Sequence, residues 1–138
     1  MEQDKKQQII NEFIDFCKQK LEIAHLPNIE FITDIKWVTE NRSFGGYNPY
    51  YKTLTVYINN RNLADILRTL SHELVHHKQN ELGQLTSDND GNTGSDIENE
   101  ANSVSGIIMR EFGQKNNKIY ENKQIIKQLL LLELQNKS

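Results

Sequence analysis

The stretch from Asn62 to Leu82 constrains this chain most. At 100° per residue, Leu63, Ile66, Leu67, Leu70 and Leu74 fall on one stripe of a helix. His72 and His76 fall nearly opposite, beside Asp65 and Thr69. Asn62 is placed to cap the helix at its start, and Gly83 to end it. A helix with this much apolar surface must be covered by other elements, while its histidine face stays outside the core. Residues four apart stand one above the other, with Cβ atoms about 5–6 Å apart, so two imidazoles so placed can reach one ion. Glu73 points about 100° away. It is therefore poorly placed to share that ligation, and well placed to take a proton from a water at the ion.

Composition narrows what such a pair can bind. Cys17 is the single cysteine of the 138 residues, so neither a disulfide framework nor a thiolate metal cluster can form within one chain. A metal site must use histidines and carboxylates. The net charge of −3 and a sequence pI near 5.8 argue against a general nucleic-acid binder. They leave a protein or peptide substrate open. The longest aliphatic run, Leu129 to Leu132, is far shorter than a membrane span. Met1 to Gln8 is polar, without an apolar leader core, so a cytoplasmic compartment is expected.

Around the histidine helix the chain reads as one α+β domain over residues 1–138. A first helix is expected over Gln3 to Ala24, with Ile9, Ile10, Phe13, Ile14, Cys17 and Leu21 inward. One or two short strands follow between Ile29 and Val38, and Gly45 to Pro49 forms a turn cluster. Thr53 to Ile58 is the clearest strand, and residues Asn41 to Phe44 are its expected hairpin partner. The sheet is expected to be small and mainly antiparallel. Gly83 to Ser95 reads as a polar loop. Ser95 caps a further helix over Asp96 to Phe112, which Gly113 stops, and a last helix runs from Glu121 to Gln135.

Catalytic zinc usually has three protein ligands, so one more is needed. No histidine follows His77, which leaves the carboxylates of Glu98-Asn99-Glu100. Glu98 and Glu100 flank the apolar stripe of their helix on opposite sides, and periodicity barely separates them. The string His72-Glu73-Leu74-Val75-His76-His77, with Glu98 to Ala101 and a later Gly106, resembles the gluzincin-type zinc metallopeptidases. Minimal zincins such as the ImmA/IrrE family, and small zincin-like peptidases encoded by tailed phages, look most similar. The likeness covers about Thr53 to Phe112. It implies one Zn²⁺ per chain on His72, His76 and Glu98, with Glu73 as general base in peptide-bond hydrolysis. It also implies that Asn102 orients a ligand. The alternative is a zincin-fold binding or structural protein with little or no peptidase activity. Retention of Glu73 weighs against that alternative, because a structural site has no use for a general base.

The remaining candidates read as structural. His77 is expected at the surface, His25 at a helix end, and Cys17 in the core. Asp88 to Asn92 opens like a calcium loop but has Thr93 and Asn99 where such a loop needs Gly and Glu, so it reads as a flexible loop. Tyr47, Tyr50, Tyr51, Tyr120 and Arg110 are all chemically able to stabilise an oxyanion, and the sequence does not choose among them. A Thr53–Ile58 strand at the sheet edge could take up an extended peptide. A central one would instead pack Leu54, Val56 and Ile58, leaving the Gly83–Ser95 loop to wall the cleft. Substrate identity and oligomeric state are not legible.

Overall fold

The computed structural model describes residues 3–85, 95–116, 131–132 and 134–135. It is a small α+β domain with four helices and a three-stranded mixed sheet among the described residues. The order is α1 (Gln3–Lys20), β1 (Asn28–Ile32), α2 (Ile35–Asn41), β2 (Gly45–Asn48), β3 (Thr53–Tyr57), α3 (Leu63–Glu81) and α4 (Asp96–Lys115). No described helix is long and apolar enough to cross a membrane.

The core forms where the apolar stripes of α1, α3 and α4 meet each other and one face of the sheet. Phe13, Cys17, Leu54, Val56, Leu67, Leu70 and Leu74 are all fully buried there. Burial pushes the Cys17 thiol well above its ordinary pKa, consistent with a small core side chain. Asn62 accepts from the Asp65 N–H at 3.0 Å, and Ser95 from the Glu98 N–H at 3.1 Å, so α3 and α4 start at their expected caps. Leu82 follows α3, and Gly83 takes the left-handed conformation (φ 71°) that favours glycine.

Five expectations about local structure are corrected. The second half of the Ile29–Val38 segment is helix α2, because Asp34 caps it by accepting from the Lys36 N–H at 2.9 Å. The hairpin partner of β3 is Gly45–Asn48, so the glycines placed in a turn belong to a strand. Only the β2–β3 pairing is antiparallel, since β1 runs parallel to β3 from Asn28↔Thr53 to Ile32↔Tyr57. Finally, α4 continues through Gly113 to Lys115, because Gly113 is buried inside the helix rather than needed at a turn. The first helix also ends earlier than Ala24, at Lys20. Most of the expected Glu121–Gln135 helix and most of the Gly83–Ser95 loop, Asp88 to Asn92 included, lie outside the described residues.

Strand order decides what can reach the histidine helix. The order is β1–β3–β2, so the Thr53–Ile58 strand is central and its backbone is paired on both sides. It cannot be the edge that receives a peptide. Leu54 and Val56 pack the core instead. The edge beside α3 is β2, and it comes close because Gly45 has no side chain. A Cβ there would collide with the Thr69 methyl and stand 3.2 Å from the Thr55 carbonyl and 3.4 Å from Glu73 Cγ. Arg61 locks the short β3–α3 connection. Its guanidinium donates to the carbonyls of Tyr57 and Asp65 and to Thr69 Oγ1, and it stacks on Phe44 4.5 Å from the ring centroid.

Candidate metal centre

A cleft of about 820 Å³ opens between the edge of β2, the histidine face of α3 and the first turns of α4. Gly45, Gly46 and Tyr47 line one side, Glu98, Asn102 and Ser105 the other, and His72, Glu73 and His76 form the floor. One helix supplies both imidazoles through the i, i+4 spacing. The other supplies a carboxylate from its first turn, where the helix dipole favours negative charge. Ser95 and Glu98 have capping-box spacing, yet the Glu98 carboxylate turns to the histidines.

The three side chains converge on one point. His72 Nε2 lies 2.6 Å from Glu98 Oε1, His76 Nε2 lies 3.2 Å from Glu98 Oε2, and the two Nε2 atoms are 3.2 Å apart. Bonds of 2.0–2.1 Å in a tetrahedron set ligand atoms about 3.3 Å apart, so two of the three separations are those of a zinc site. Among the described residues, these ligand atoms form a group within 4.8 Å of one another. Burial and the neighbouring His76 hold the His72 pKa below its ordinary value, against the pull of Glu98. A neutral imidazole is the form a metal needs.

No protein-family model, curated protein or solved structure matches this chain. Its chemistry has to be read from these side chains themselves.

Glu73 is 7% exposed, and its Oε2 is buried without a hydrogen-bond partner among the described residues. Burial, then the nearby Glu98 carboxylate, push its pKa up to about 8. Two carboxylates facing one small volume, one of them unpartnered, are costly unless a proton or a cation sits between them. The donor set and the orphaned oxygen therefore fit a divalent cation of the zinc type.

Each sequence candidate now has a place. His72, His76 and Glu98 come together, with Glu73 beside them. Glu100 points to Gln79, 2.9 Å away, and does not join the cluster. The Asn102 side chain hydrogen-bonds to His72. Gly106 lines the cleft, but a Cβ there would meet open space, so nothing local requires glycine. His77 is not at the surface: it is 1% exposed, with its ring nitrogens 2.7 Å from Tyr47 Oη and 2.6 Å from the His25 carbonyl. His25 itself contributes only backbone groups, its N–H donating to Glu81. Tyr47 lines the cleft, but its hydroxyl is held by His77 and Asn80. Tyr50 and Tyr51 are exposed at the hairpin tip, Arg110 is exposed on α4, and Tyr120 lies outside the described residues. Sequence reasoning did not single out Gln79, Arg61 or Gly45 for the site. Of these, only Gln79 carried a signal, its place one turn after His76.

Proposed function

We propose that this chain is a zinc-dependent peptidase of the minimal zincin kind, with His72, His76 and Glu98 as ligands and Glu73 as general base. The observation that carries the reading is the convergence of two Nε2 atoms and one carboxylate beside the unpartnered, buried Glu73 Oε2. Zinc bound there would supply a Lewis acid that acidifies water and polarises a carbonyl. The chain's own residues do the rest. Glu73 holds a carboxylate oxygen toward the cleft, ready to accept a proton from water and return it to a departing amine. Burial, and then Glu98, raise the Glu73 pKa to about 8, and a cation nearby would oppose both and favour the ionised base. The sheet edge Gly45–Asn48 reaches the cleft through Gly45, Gly46 and Tyr47, so an extended peptide could add to it there. That geometry favours an unfolded or looped protein segment as substrate.

The deciding test pairs metal analysis with hydrolysis. Purified protein should hold one zinc per chain, and an unstructured protein substrate should be cut, with cutting stopped by a chelator and restored by zinc. Stoichiometric zinc without hydrolysis of any peptide would instead favour the binding or structural alternative. Absence of zinc binding would end the reading.

A further inference from the structure

The buried Gln79 amide has no part in the hydrolytic scheme, yet it touches both helices of the site. Gln79 is 1% exposed. Its Oε1 lies 2.8 Å from His76 Nδ1, and its Nε2 lies 3.0 Å from the Ile97 carbonyl and 2.9 Å from Glu100 Oε1. Turned the other way, the amide would press its oxygen against a carbonyl and a carboxylate. The two acceptors on α4 therefore fix its orientation. An oxygen facing His76 requires a hydrogen on Nδ1. The neutral ring must then carry its lone pair on Nε2, the atom 3.2 Å from both His72 Nε2 and Glu98 Oε2. The Ile97 carbonyl belongs to the residue just before Glu98. One amide thus sets both the ring of His76 and its separation from the backbone that carries Glu98.

We propose that Gln79, held by Glu100, is a positioning residue for the metal site, choosing the His76 tautomer and fixing the α3–α4 spacing there. The proposal rests on the zinc reading above. It gives Glu100 a part without making it a ligand: a charge-assisted acceptor that prevents the amide from flipping. Partners of this kind commonly change metal affinity about 10- to 100-fold.

The test uses the full chain, with two readouts. The first is zinc affinity by chelator competition. The second is imidazole nitrogen NMR of the metal-free protein, well above the imidazole titration range. Gln79→Leu should weaken zinc binding by about 10- to 100-fold and let the His76 proton move to Nε2. Glu100→Ala should act the same way but only a few-fold. Glu100→Gln keeps an acceptor oxygen for the Gln79 amide while leaving its bond to the Ile97 carbonyl intact. It should keep the Nδ1–H tautomer and most of the affinity that Glu100→Ala loses. The proposal is overturned if metal-free parent protein carries the His76 proton on Nε2. It is equally overturned if Glu100→Gln folds with the proton moved to Nε2, or if Gln79→Leu binds zinc as tightly as the parent. Should the parent bind no zinc, the functional reading fails, while the NMR still decides whether Gln79 sets the tautomer.

Discussion

His76 and His77 are adjacent and both buried, yet they sit in networks of opposite kind. Around His77 both ring nitrogens are matched. Nε2–H donates to the His25 carbonyl, Nδ1 accepts from the Tyr47 hydroxyl, and Asn80 donates to that oxygen and to the Pro49 carbonyl. This network joins α3 to β2 and to the α1–β1 connection, and it is closed. Around His76 only Nδ1 has an ordinary partner. Its Nε2 faces another imidazole and a carboxylate, with the unpartnered Glu73 oxygen nearby. A closed buried network stabilises a fold, whereas converging acceptors weaken it unless something positive sits among them. One residue of helical rotation separates a structural histidine from a candidate ligand.

The comparison breaks most visibly if the wrong histidine governs zinc. His72→Ala and His76→Ala should each abolish stoichiometric binding in equilibrium dialysis while the fold persists. Glu98→Ala should weaken binding strongly. His77→Ala should leave one zinc per chain in any protein that folds. Zinc lost from the His77 variant and kept in the His72 variant would reverse the two networks' roles.

Next in size is the base. Glu73→Gln should retain zinc and lose about 10²–10⁴-fold in hydrolysis rate, measured against the zinc-loaded parent. A variant as active as the parent would remove Glu73 from the mechanism.

The same variant tests the cost of the open network. In the metal-free native protein Glu73 keeps its proton up to about pH 8, against about 4.5 for an unperturbed carboxyl. Between those values the native state binds one proton more than the unfolded chain, so stability falls as pH rises. Urea midpoints of metal-free parent protein should drop across this window. Glu73→Gln should flatten the slope and be the more stable protein at its upper end, by a few kcal/mol at most. Equal slopes would mean that Glu73 is solvated in the native state.

The closed network should show smaller effects, confined to stability. His77→Leu leaves the Tyr47 O–H without its acceptor and the His25 carbonyl without the ring donor, and should cost about 1–3 kcal/mol of unfolding free energy. Tyr47→Phe should cost about 1 kcal/mol and leave zinc affinity unchanged. A loss of zinc affinity in Tyr47→Phe would show that the networks are coupled through α3.

What was legible in the sequence is what depends on period and on local backbone chemistry. The apolar stripe of α3, the His72/His76 pair and the caps at Asn62 and Ser95 all follow from 3.6-residue geometry and short-range hydrogen bonds. The paired strand Thr53–Tyr57 was visible in its alternation for the same reason. Its neighbours were not, because strand order is a matter of long-range pairing, and Thr53–Tyr57 reads alike at an edge or in the centre. Glu98 and Glu100 were nearly equivalent by periodicity, lying on opposite flanks of one stripe. The packing angle of α4 on α3 separates them, turning Glu98 to the imidazoles and Glu100 to Gln79. His77 looked like a surface residue because polarity is a local property, whereas burial is set by what the chain folds over it. Tyr47 and the His25 carbonyl arrive from thirty and fifty-two residues away to make that burial tolerable.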